Sequence, residues 1–228
     1  MQPNGNGFDA IVELKKYTDK QDPFMINVIS ANKEFIFKTS TEQMKIAARM
    51  NTDGEHFMSK EFCHFDGNHK RVKSYVTLTA SVYHPLLRKQ IVLATMNCKH
   101  EDSEYVTIFW RNFNDAFQEA NKVKSKFSPV GWVTDMAGAN FHGLANIYGE
   151  DVLRKVKGCE FHYKQSVEKK TKTLGEKGEG FRQIANRLLY ATTPESYTSA
   201  LDAIKSFFRT KRRQRVERLD QLVGYEEG

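Results

Sequence analysis

Two apolar runs near the start of the chain, PFMINVIS and EFIFKTS, flank ANK and follow a short helical stretch, DAIVELKKYT, so the pattern predicts a β-hairpin there. STEQMKIAARMN comes next, with Met44, Ile46, Ala47 and Met50 toward one face of a helix that Ser40 or Thr41 caps. The Asp-Gly of NTDGEHFMSK marks a turn and closes a small α+β lead-in over residues 1–60. Three strand candidates succeed it: EFCHFD, SYVTLTASVYH and KQIVLATMNCK. Their connections, GNHKRVK and PLLR, are short enough for an antiparallel meander. In residues 103–123, Val106, Phe109, Trp110, Phe113, Phe117 and Ala120 recur at helical spacing behind Ser103 as N-cap. Beyond Pro129, VGWVTD is a short strand ending in Asp135, GANFHGLANIYGEDVLRKVKG is helical, and CEFHYKQSVEKKTK reads as a strand running into a polar helix. The order over residues 61–173 is β-β-β-α-β-α-β, a mixed α/β sheet. Trp110 and Trp132 both fall on its apolar faces.

From about residue 174 no strand signal remains. Ile184, Leu188, Leu201, Ile204, Phe207, Phe208, Leu219 and Leu222 fall on helical repeats, and Pro194 opens a helix behind the cap Thr193. Residues 174–228 therefore form an all-helical subdomain.

Charge narrows the partner. Lys and Arg total 35 against 28 Asp and Glu, a net charge of +7, which favours a polyanion such as nucleic acid. No apolar run approaches the ~20 residues of a membrane span, so a membrane is not expected. The N-terminus has no basic region followed by an apolar stretch, and the tract RTKRRQRVERL points to the nucleus. On a helix, Lys211, Arg212, Arg213 and Arg215 of that tract spread over one face and become candidate phosphate contacts, as do His69, Lys70 and Arg71 beside the first long strand. Cys63, Cys98 and Cys159 are odd in number and widely spaced, which argues for reduced thiols.

Two carboxylates hold the chemistry. Asp66 follows CHF at the end of the first long strand, and Asp135 follows WVT at the end of the fourth. If those strands are neighbours, the carboxylates meet, and such a pair is stabilised by divalent cations with hard oxygen preference. The alternative for Asp66 is a turn-opening role in Asp66-Gly67. Cys159 and His162 form a C-x-x-H, half of the four-ligand set of a structural zinc; Cys63, His64, His69, Cys98, His100 and His142 are unranked candidates for the rest.

Taken together, the strand order, Asp66, the second Asp in GWVTDMAGAN, CEFHY and the helical ATTPESYTSALDAIKSF resemble the catalytic domain of Mutator-like element (MULE) transposases. The resemblance covers about residues 20–210. It implies an RNase H-like fold and a DDE active site for DNA transposition, binding Mg²⁺ or Mn²⁺, with Asp66 and Asp135 as its first two acidic positions. DNA, as transposon ends and target, is the implied partner, with a second copy of the chain as a further candidate. Cys159 and His162 match the family's C-x-x-H, and residues 174–228 correspond to its helical insertion.

The family's last Glu follows that insertion. Glu176, Glu179, Glu195, Glu217, Glu226 and Glu227 lie in segments read as insertion or tail, and none matches its context. The third carboxylate is thus expected beyond Gly228, with weak metal binding and little strand transfer by this chain alone. Either the chain is an excerpt of a DNA-cleaving and DNA-joining enzyme, or it is a domesticated remnant that binds DNA without catalysis. A non-enzymatic RNase H-like interaction module is a third reading.

Overall fold

The computed structural model describes residues 9, 12, 13, 25–51 and 54–223, with the backbone only at 25, 70 and 210–223. The turn expected at Asp53-Gly54 and most of the helical stretch expected before residue 20 lie outside the described residues.

Hydrophobic alternation folds as a seven-stranded mixed sheet. Its strands are β1 (Met25–Ser30), β2 (Phe35–Ser40), β3 (Cys63–Val72), β4 (Tyr75–His84), β5 (Lys89–Cys98), β6 (Trp132–Thr134) and β7 (Val156–Gly158). They lie in the order β1-β2-β5-β4-β3-β6-β7. Strands β1 to β5 pair antiparallel, whereas β3–β6 and β6–β7 pair parallel. Short turns suffice inside the antiparallel part, but a parallel step needs a crossover. Helix α2 (Ser103–Asn121) makes the first and α3 (Gly138–Tyr148) the second.

The periodicity of α2 delivers its apolar stripe to one face of the sheet. Phe109 meets Phe37 and Phe65 at ring-centroid distances of 5.6 and 5.0 Å, and Trp110 meets Phe65 and Trp132 at 5.2 and 6.3 Å. Helix α3 packs on α2 through Gly143, where a Cβ would stand 2.3 Å from Val106 Cγ1. Helix α1 (Thr41–Ala48) buries Met44 and Ala47 in the same core, and Ser40 caps it by accepting from the Gln43 N–H at 3.2 Å.

Four local expectations change. Strand β3 does not end at Asp66: it continues through GNHKRV, with Asp66 opposite Thr79, Gly67 opposite Leu78 and Asn68 opposite Thr77. The reversal falls at Lys73-Ser74, where Ser74 takes a φ of 68°, so Asp66-Gly67 is strand and not turn. The N-cap of α2 is Asp102, one residue before Ser103, because its carboxylate accepts from the Tyr105 N–H at 3.0 Å. CEFHY is not a strand; the strand is the preceding Val156–Gly158, and Glu160 already begins α4 (Glu160–Leu174).

The chain divides into Met1–Cys159 and Glu160–Gly228, where the sequence pattern places divisions near 60 and 173. The first division disappears because β2 pairs with β5 and draws the lead-in hairpin into the main sheet. The second moves because α4 shares a core with later helices instead of continuing the sheet. That second unit contains α4, α5 (Gly178–Leu189) and α6 (Pro194–Val223), around Val167, Leu174, Phe181 and Ala185. Thr193 caps α6 through its Oγ1, which accepts from the Ser196 N–H at 3.2 Å. No described helix is long and apolar enough to cross a membrane.

Candidate functional site

Parallel pairing between β3 and β6 aligns Cys63 with Trp132, His64 with Val133 and Phe65 with Thr134. The next residue on each strand is an aspartate, Asp66 and Asp135. Neighbouring strands run about 4.8 Å apart, so the backbone positions of the two aspartates follow directly on a paired register. Asp66 lies within β3 and Asp135 just past the end of β6, beside the place where the sheet changes from antiparallel to parallel pairing. The alternation that buries Phe65 against α2 leaves Asp66 exposed, while Asp135 is half-buried.

One oxygen of Asp135 is already committed. Its Oδ1 accepts from the Ala137 backbone N–H at 3.1 Å and from Asn140 Nδ2 at 2.6 Å. The α3 N-cap residue, Ala137, has no side chain that can do this, so Asp135 serves the first turn from two positions upstream. Negative charge at a helix N-terminus is also favoured by the aligned peptide dipoles. Asn140 is 1% exposed, and its Oδ1 has no hydrogen-bond partner. Thr134 Oγ1, buried on the neighbouring residue, has none either.

A third carboxylate belongs to the same neighbourhood, and the sequence reading missed it. Glu101 lies between the end of β5 and the Asp102 cap of α2. A Cβ added at Gly67 would stand 2.5 Å from both of its carboxylate oxygens. Gly67 has ordinary strand geometry, so glycine is required here for space and not for backbone freedom. Burial pushes the Glu101 carboxyl up, and the negative charge of Asp135 and, more weakly, of Asp66 adds to that; the contact with His69 opposes it. His69 Nε2 stands 3.0 Å from Glu101 Oε2. Within the run KHEDSEY, Glu101 reads as part of a helix-capping turn; only the register that brings Gly67 beneath it reveals the contact.

The remaining candidates are spread out. Arg71 is exposed on the projecting β3–β4 hairpin, and the Lys70 side chain lies outside the described residues. Lys211, Arg212, Arg213 and Arg215 fall on the α6 backbone, with side chains outside the described residues. Cys159 closes the first unit and donates its N–H to the Thr134 carbonyl at 2.7 Å, whereas His162 lies in the first turn of α4 in the second unit. Cys63 and Cys98 are buried, and burial raises both thiols, which makes them inert core residues. Cys98 Sγ also donates to the His100 carbonyl at 3.1 Å. His142 is exposed on α3. Among the described residues no group of three or more His, Cys, Asp and Glu side chains is arranged to hold a metal ion.

No known family model, curated protein or solved structure matches this chain.

Proposed function

We propose that the chain is a metal-dependent phosphodiester-processing domain of the RNase H-like class, of the MULE-type DDE transposase kind, acting on DNA through Asp66 and Asp135. The observation that supports this reading is the parallel β3–β6 pairing, whose last paired residues, Phe65 and Thr134, are each followed by an aspartate. Support also comes from the run β5-β4-β3-β6-β7, three antiparallel strands followed by two parallel ones with helical crossovers, which agrees with the order that the resemblance implies.

The two carboxylates are the oxygen donors that a hard divalent cation prefers, and Asn140, bonded to Asp135, keeps a buried amide oxygen without a partner beside them. Bound between Asp66 and Asp135, Mg²⁺ or Mn²⁺ would supply Lewis-acid stabilisation of charge developing on a phosphate. The chain's own residues supply position. Two donors on the Asp135 Oδ1 fix its carboxylate plane, leaving Oδ2 as the oxygen for a cation. Asp66 is held by a strand paired on both sides. The net charge of +7 and the exposed Arg71 favour the approach of a DNA backbone.

The test is conversion of supercoiled DNA to nicked circles by the purified chain. Nicking is expected with Mg²⁺ or Mn²⁺ and not with EDTA, and it should weaken as salt rises. DNA binding without metal-dependent nicking would support the non-catalytic remnant instead.

A further inference from the structure

We infer that the tip of the β4–β5 hairpin is a docking surface for an anionic lipid bilayer, which Leu86 and Leu87 enter while Arg88 and Lys89 meet the headgroups. The assignment is independent of the two aspartates.

Exposure provides the first argument. Residues 85–88 form the turn between β4 and β5, and there Leu86 is 74% and Leu87 59% exposed. Phe57, also exposed, joins them through His84. Its ring meets that of His84 at a centroid distance of 5.4 Å, and His84 Nδ1 accepts from the Leu87 N–H at 3.2 Å. Tyr83 is exposed on the preceding residue of β4. Single exposed apolar side chains need no explanation, but a gathering of them at one end of a sheet marks a contact surface.

Turn chemistry provides the second. Tight turns ordinarily take Gly, Asn, Asp or Ser. This one reads Pro-Leu-Leu-Arg, and Arg88 takes a φ of 51°, which glycine adopts at less cost. Neither leucine belongs to a core cluster. A turn that breaks local preference without a return inside the fold points to a role outside it.

Shape and charge select the bilayer. The β4–β5 ladder runs up to His84 opposite Lys89, so the leucines stand on a paired base. A convex pair of leucines enters a fluid hydrocarbon layer directly, whereas a folded partner would have to supply a matching pocket. Residues 83–90 contain two cations and no acid. Neither Arg88 nor Lys89 has an ion-pair partner among the described residues. Lys60 is exposed on the neighbouring segment, where Glu55 and Glu61 offset part of the charge. From the tip backward the order is leucine, then Arg88, Lys89 and Tyr83, which is the order a leaflet favours from hydrocarbon to headgroup. Docking from one side needs no spanning segment. Thr79, the partner of Asp66, lies roughly 17 Å back along β4 from His84, so a docked tip leaves the Asp66 position clear.

Co-sedimentation of the full chain with phosphatidylcholine vesicles, with and without phosphatidylserine, tests the proposal. Wild type is expected to bind the anionic vesicles and not the neutral ones. The Leu86→Ser, Leu87→Ser double variant should bind at least about tenfold more weakly, since burial of even one leucine is worth that factor. Its melting temperature should be unchanged. Arg88→Gln with Lys89→Gln should weaken binding roughly twentyfold, at about fivefold per cation. In Leu86→Trp, the added indole emission should shift to the blue on anionic vesicles and be quenched by brominated lipid. Equal vesicle binding by wild type and the leucine variant would move the contact to another basic region and overturn the proposal, as would no binding by wild type. Without vesicle binding, capture by an acidic amphipathic Glu-Leu peptide that is lost with the leucines would assign the tip to a protein partner instead. A wild type heavier than the leucine variant in sedimentation velocity, again without vesicle binding, would assign it to a second copy of the chain.

Discussion

Asp135→Asn is expected to lower metal-dependent DNA nicking on the order of a thousandfold while leaving the fold intact. Asparagine is nearly isosteric, and its amide oxygen can go on accepting from the Ala137 N–H and Asn140 Nδ2. The first turn of α3 is therefore still capped. In that orientation an NH₂ replaces Oδ2, so a donor faces the place where a cation needs an anionic oxygen. Charge and coordination are lost together, and the helix is not. Unfolding by urea should show stability within about 1 kcal/mol of wild type. A variant that loses nicking and stability in parallel would assign Asp135 a capping role only.

Trp110→Ala is expected to destabilise the first unit by about 3–5 kcal/mol, a large share of a typical 5–15 kcal/mol. Trp110 is fully buried and lies at the junction of the structure that positions the site. Its ring contacts Phe65 on β3, Trp132 on β6 and Tyr148 on α3, besides Phe109 and Phe113 on its own helix. Those elements include β3, which carries Asp66, and β6, which Asp135 follows. Truncation leaves a cavity that rings anchored to three other elements cannot collapse to fill. Trp110→Phe should cost much less, since the Trp110 Nε1 makes no hydrogen bond to lose. Urea titration should show a lower midpoint with an unchanged slope for both variants.

Much of this architecture was legible in the sequence. The apolar stripe of α2 marked its residues, alternation marked β4 and β5, and the short strand before Asp135 was bounded by Gly131 and the aspartate itself. Asp66 and Asp135 drew attention in the sequence because an apolar run was read as ending at each; only Asp135 follows the end of a strand, since β3 runs on past Asp66. The extension of β3 through GNHKRV was not legible, because a polar, Gly-containing stretch on a projecting hairpin has no buried face to impose alternation. Nor was β7, whose three residues are too few for any period. Glu101 was hidden for a different cause: its contact with Gly67 joins residues far apart in sequence and depends on strand register, which local patterns do not encode. The boundary at Cys159 was missed because CEFHY has β-forming residues, whereas its tertiary setting starts a helix.

The central claim is that Asp66 and Asp135 hold a divalent cation, and thermal unfolding with and without Mn²⁺ tests it most directly. A cation that binds only the native state stabilises it by about 2.7 kcal/mol at a hundredfold excess over its dissociation constant. The melting temperature of the wild type should therefore climb with Mn²⁺, and that of the Asp66→Asn, Asp135→Asn double variant should not. Equal melting temperatures for the wild type with and without saturating Mn²⁺ would contradict the claim and leave the two aspartates as structural residues of the sheet.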